Sequence, residues 1–284
     1  MYIQQQLIKI WRCLYPVLIY ILAQQLVLSL IVPLYFRYTI AESSDASLSA
    51  LQMTVQNYLN THTVALTTLS AVIALPLLLT FYLSDRKKSR IIVLKNKHLS
   101  WQYIFVILAA VCSSITLSFI TTLLSLSDKI ESYRHVNDIL FNEPLVIQLI
   151  GTGLIVPVTE ELIFRGLIQN RIRTCTGSGF KAIILTGIFF GIFHENIVQA
   201  TAAAAAGILI SYIYEKSGSL FAPVIFHICF NLPGILMQYM NFTLNTDVMM
   251  ITAAACLAIT LFIVYLFQRR FTPDRIMSNF AKRE

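Results

Sequence analysis

Long apolar stretches alternate with short polar ones along the whole chain, and each is close to the roughly 20 residues that a helix needs to cross a bilayer. Eight such stretches can be marked: residues 14–35, 64–83, 102–126, 144–170, 180–195, 197–214, 219–237 and 248–267. Nothing in them follows the period-two alternation of outer-membrane barrel strands. The pattern therefore predicts an all-α protein, a polytopic membrane bundle of about eight transmembrane helices. The first stretch follows Lys9 and Arg12 but is longer than a signal-peptide core and has no small-residue cleavage site behind it, so it reads as a retained helix. Residues 36–63 and 127–143 are polar and carry Glu42, Asp45, Asp128, Glu131, Asp138 and Glu143; they read as external loops with at most short helices. The run "ATAAAAAG", Ala200 to Gly207, reads as a face for close helix packing with no chemistry of its own. No internal repeat is visible.

Composition agrees with this pattern. The 284 residues are 57% hydrophobic and 12% charged, against roughly a quarter charged in an ordinary soluble domain. The five cysteines, Cys13, Cys112, Cys175, Cys229 and Cys256, are scattered without a CxxC or ribbon spacing and read as small apolar filler.

Charge adds an orientation. Placing the N-terminus inside puts seventeen of the 21 cationic residues on the inner side: Lys9, Arg12, Arg86, Lys87, Lys88, Arg90, Lys95, Lys97, Arg171, Arg173, Lys181, Lys216, Arg269, Arg270, Arg275, Lys282 and Arg283. Only Arg37, Lys129 and Arg134 fall outside. Cytoplasmic loops are enriched in Lys and Arg, so the expectation is a multi-pass protein of the cell membrane with both termini cytoplasmic. The net charge of +7 fits anionic lipid on the inner face and calls for no nucleic acid.

Against this background the stretch "TEELIFRG", Thr159 to Gly166, is anomalous, because ionisable groups at membrane depth are expensive and tend to face the interior, pair and mark function. The intramembrane polar set is Glu160, Glu161, Arg165, His194, His227 and Asn231. Glu161 precedes Arg165 by four residues, the favourable order for a helical ion pair, which leaves Glu160 free. His227 and Asn231 are also four apart and share a helix face, whereas Cys229 points elsewhere. At 1.5 Å per residue, counting from the inner turns puts Glu160 roughly 24 Å deep, with His227 roughly 15 Å and Asn231 roughly 21 Å. Counted from the same turn as Glu160, His194 lies at nearly the same level. An acid, two imidazoles and a carboxamide from three helices can thus surround one cavity. A carboxylate in an apolar site can serve as general base and acid near neutral pH with a histidine beside it. A second histidine and an asparagine supply donors for an oxyanion.

Taken together, Glu-Glu-x-x-x-Arg (160–165), Phe-x-x-x-His (190–194) and His-x-x-x-Asn (227–231) on successive apolar helices resemble the CAAX-protease and bacteriocin-processing family of polytopic membrane endopeptidases. The resemblance covers about residues 145–235. It implies that Glu160 and His194 activate the attacking water, that His227 and Asn231 form the oxyanion hole, and that Glu161 and Arg165 support Glu160. The organisation expected from it is an N-terminal membrane region (1–143), a catalytic core (144–237), and a last helix with a basic tail (238–284).

The expected substrate is a peptide or membrane protein at the lipid bilayer. Other readings stay open. One is a zinc protease with Glu160, His194 and His227 as ligands, although His-Glu-x-x-His is absent and a metal-free site needing no cofactor is preferred. Another is a non-catalytic bacteriocin-immunity or signalling scaffold. A third is a proton-coupled transporter, disfavoured by the lack of a repeat. Glu195 reads as a helix-end acid facing water, and His62, His98 and His135 as loop residues without a function.

Overall fold

The computed structural model describes residues 2–42, 47–87, 93–95, 102–194, 196–240, 244–270 and 274–276. Ten helices of ten residues or more organise them. They are α1 (Tyr2–Glu42), α2 (Leu48–Thr61), α3 (Thr63–Lys87), α4 (Tyr103–Leu123), α5 (Glu131–Leu140), α6 (Leu145–Thr176), α7 (Gly179–Ile192), α8 (Ile197–Ser217), α9 (Phe221–Tyr239) and α10 (Thr246–Arg270). A three-residue antiparallel ribbon, Val93–Lys95 against Asp274–Ile276, lies between the inner loop and the tail.

Among the described residues seven helices are long and apolar enough to cross a membrane: α1, α3, α4, α6, α8, α9 and α10. With α7 they make the bundle of about eight expected from the sequence. The fifth stretch is shorter than expected, because α7 ends at Ile192 after 14 residues. The cause is polar: Asn196 caps α8, its carboxamide oxygen accepting from Val198 N at 2.9 Å, so the chain turns at once. Glu195 and His98 lie outside the described residues. The two polar segments are more helical than expected. Helix α1 runs on to Glu42, α2 fills 48–61, and α5 fills 131–140 after a single turn at Leu126–Lys129. His62 caps the end of α2 and His135 sits on α5. Glu143 is no solvated loop acid either: it is buried and accepts from Ala65 N, in the first turn of α3, at 3.0 Å.

Leu22, Leu26, Leu30 and Leu34 of α1 and Ile251, Leu261 and Phe262 of α10 point outward, a surface suited to lipid. Two apolar clusters lie inside. One joins α1, α3 and α6 through Tyr20, Ala71, Leu78, Ile163, Phe164 and Leu167. The other joins α4, α8, α9 and α10 through Val106, Ala110, Ile210, Phe226 and Ile263.

The cation-rich end is locked by buried charge. Arg171 reaches Asp85 of α3 at 2.8 Å, and Asp85 also takes Arg12 of α1 at 3.1 Å. Arg173 forks onto Glu215 of α8, with Nε to Oε2 at 2.9 Å. Helices α6 and α8 stop just beyond, each at a glycine with φ of 65°, Gly177 and Gly218, a conformation that glycine adopts without strain.

Candidate active site

Helix α6 is not a plain α-helix. Residues Gly151–Ile155 and Leu162–Gln169 are wound as π-helix on either side of an α-helical turn, Val156–Glu161. Widened turns of this kind redirect side chains and recur at functional sites. The first has a local chemical cause. Val156 N bonds back to Gly151 O, and Pro157 has no N–H to give, so the Thr152 carbonyl is left available. Asn231 of α9 takes it, its Nδ2 donating at 2.8 Å. One amide hydrogen thus anchors the carboxamide, and the rest of the group lies on the cavity wall.

The second π segment carries Arg165, which is fully buried with Glu161. Its Nη1 donates to Glu161 Oε1 at 2.7 Å, the pair expected from the spacing, and its Nη2 donates to Gly207 O of α8 at 2.9 Å. The guanidinium lies 4.9 Å over the Phe190 ring. Gly207 is glycine for reasons of space: a Cβ there would stand 3.0 Å from Phe190 Cδ1 and 3.2 Å from Gly187 Cα. The small-residue run thus does pack α8 against α7 closely. It also does something the sequence reading did not foresee, because Ala202, Ala203 and Ala206 form a wall of the cavity.

Glu161 has a second partner that spacing could not reveal. His227 Nδ1 lies 2.8 Å from the same Oε1, an N–H donating to a carboxylate. The opposite ring nitrogen, Nε2, lies 3.7 Å from Glu160 Oε2, beyond direct hydrogen-bond reach. His194 is fixed differently: its Nδ1 stands 2.9 Å from Phe190 O and must carry the proton to bond a carbonyl, which leaves Nε2 as the basic nitrogen of the neutral ring. Phe190 is the hub, its ring edge-on to both His194 (5.1 Å between centroids) and His227 (5.7 Å).

These groups share a cavity of about 700 Å³ between the two apolar clusters. Glu160, His194, His227 and Asn231 all line it, while Glu161 and Arg165 stand behind. The N-terminal helices contribute Tyr20, Gln24, Ser114, Ser118 and Thr121, none of which the sequence reading singled out. Tyr20 is the notable addition: its buried hydroxyl lies near the Glu160 carboxylate and the Gln24 side chain. Cys229 does not line the cavity and packs against the second cluster instead. Among the described residues no three His, Cys, Asp or Glu side chains are gathered as a metal-holding group.

The fold is that of a polytopic helical membrane bundle, and comparison with known proteins finds similarity over the part of the chain that carries the site. Residues 142–233 match the family described as type II CAAX prenyl endopeptidase Rce1-like. Three curated proteins are also similar to this chain. "Putative membrane peptidase YdiL" of Bacillus subtilis (strain 168) is 26% identical over 108 residues, 38% of this chain and 43% of that protein. "UPF0177 protein YxdF" of Lactococcus lactis subsp. lactis (strain IL1403) is 26% identical over 148 residues, 50% of this chain and 81% of that protein. "CAAX prenyl protease 2" of Rattus norvegicus is 34% identical over 83 residues, 28% of this chain and 26% of that protein. The match thus spans less than half of the first and third relatives. No solved structure gives a significant match.

Proposed function

We propose that this protein is a membrane-embedded endopeptidase that hydrolyses a peptide bond with a water activated by Glu160 and His194. The observation that carries this reading is the pairing of Glu160 and His227 across 3.7 Å at a cavity that His194 and Asn231 also line. Glu160, assisted by the basic Nε2 of His194, takes a proton from water while the oxygen attacks the carbonyl carbon. The carbonyl π electrons move onto oxygen, and His227 and Asn231 donate to the resulting oxyanion. Protonated Glu160 then gives its proton to the amine as the C–N bond breaks.

For His227 the donor role has a definite requirement. Its Nδ1–H is committed to Glu161, so Nε2 can donate only from the imidazolium, the one form that carries both protons. An imidazolium with Arg165 would balance the carboxylates of Glu160 and Glu161, leaving the group neutral. Charge balance of this kind suits a site walled by apolar residues.

Metal-free catalysis is part of the proposal, as are a peptide or membrane-protein substrate and both termini in the cytoplasm. Purified protein should cleave a panel of apolar peptides, keep that activity in EDTA, and lose it in Glu160→Gln. Equal product from wild type and Glu160→Gln would reject the hydrolase and leave a scaffold role. Loss of activity in EDTA with recovery on added zinc would reject the metal-free site.

A further inference from the structure

The cavity has a direction. Its lining residues come from α1, α3, α4, α6, α7, α8 and α9; α1 gives Tyr20 and Gln24 from mid-span, and most of the others stand toward one end of the molecule. Helix α3 gives Thr63 and Thr67 from its first turns, α6 gives nothing beyond Glu160, and α7 nothing before Phe190. Helix α8 gives nothing beyond Ile210, α9 nothing before His227, and α4 nothing before Ser114. Helix α5 adds a run from Tyr133 to Leu140 across that same end. It is tied to the α7–α8 turn by Asn196 Nδ2 donating to Ser132 Oγ at 3.0 Å.

That end is the cation-poor one. It carries Arg37, Lys129 and Arg134, whereas Arg12, Arg86, Lys87, Arg171, Arg173, Lys181 and Lys216 all stand at the opposite end. There Arg12, Asp85, Arg171, Arg173 and Glu215 close the bundle with ion pairs. The reacting groups sit at the floor of a funnel that is sealed beneath by buried charge. Since the cation-rich end of a bundle faces the cytoplasm, the funnel faces away from it.

We infer that the substrate reaches the site from the extracytoplasmic face of the membrane, which makes it an exported peptide or an outward segment of a membrane protein rather than a cytosolic chain. The walls suit such a chain. Ser114, Ser118 and Thr121 repeat on one face of α4 and offer hydroxyls to an extended backbone, opposite the alanine wall of α8. The inference rests on the hydrolase reading for the word substrate, but the sidedness stands on geometry and charge alone.

Two measurements separate the two claims. In the first, an impermeant maleimide is applied to right-side-out and inverted membrane vesicles. Cys175, exposed at the cation-rich end, should label only in inverted vesicles. Cys introduced by Asn142→Cys beside the mouth, in a Cys175→Ser background, should label only in right-side-out ones. The reverse pattern overturns the inference whether or not the protein is an enzyme. In the second, quenched fluorogenic peptides bearing a sulfonated dye are added to both vesicle types. Cleavage confined to right-side-out vesicles and lost in Glu160→Gln supports the inference, whereas cleavage confined to inverted vesicles overturns it while the hydrolase stands. Cleavage in neither orientation that depends on Glu160 removes the hydrolase, and the labelling then decides the sidedness of the cavity by itself.

Discussion

Glu160 and Glu161 are adjacent in sequence and differently placed: Glu160 lines the cavity and Glu161 stands behind it. Glu161 is fully buried and accepts from both Arg165 and His227, so removing it would leave a buried guanidinium without the carboxylate that it pairs with. Breaking one partner out of a buried pair costs about 3–5 kcal/mol, whereas Glu160 holds no ion pair closer than 3.7 Å. Glu161→Ala should therefore lower the thermal unfolding midpoint in detergent sharply, while Glu160→Gln should unfold near the wild-type temperature and lose activity. Matching midpoints for the two variants would mean that the carboxylates are not divided between frame and chemistry. The pairing itself was legible in the sequence, because the i,i+4 spacing assigns Arg165 to Glu161. The second partner was not, since His227 is 66 residues away and only the packing of α9 on α6 brings it within 2.8 Å.

At the scale of elements, the apolar pattern was enough to mark the helices of the bundle, and the same pattern hid how α6 is wound. Hydropathy reports burial and is blind to whether a backbone N–H reaches four or five residues back. Pro157 was the one visible sign of trouble, and its missing N–H explains the free Thr152 carbonyl only after the Gly151–Ile155 turn is seen. The contact of α7 with α8 was easier to foresee from small residues, and its tolerance is narrow. At Gly187 a Cβ would stand 2.4 Å from Ile208 Cγ1 and 2.7 Å from Ile208 N, and the backbone atom cannot swing aside. Overpacking of this kind costs about 1–3 kcal/mol, so Gly187→Val should destabilise the protein. It should also weaken the guanidinium bond to Gly207 by prising α8 from α7. Unfolding in detergent checks the first effect. The second would appear as lower kcat in the folded fraction, and an unchanged midpoint would show that the helices yield.

For the whole molecule, the polar constellation comes from one stretch of the chain, whereas the channel that leads to it draws on nearly all of the bundle. The constellation lies within residues 160–231, where the three motifs made it readable. The channel also draws on α1, α3, α4 and α5, whose contributions, such as Tyr20, Thr67, Ser118 and Asn137, follow no motif and are set only by how the bundle closes. Shape therefore belongs to residues with no chemistry of their own, and the alanine wall is the clearest case. A cavity of about 700 Å³ is within the usual range for ligand pockets, and its breadth next to Glu160 depends on Ala202, Ala203 and Ala206 staying small. Ala206→Phe would swing a ring into that space without touching Glu161, Arg165 or the ion pairs at the sealed end. Peptides with a bulky residue beside the scissile bond should then be cleaved more slowly, chiefly through a higher KM, while those with alanine there should keep a near-normal rate. Competition between the two peptides in one reaction reads the change as a ratio, free of any loss in active protein. A ratio equal to the wild-type value would mean that substrate does not pass along α8, and the path would have to run on the side of α4 and its hydroxyls.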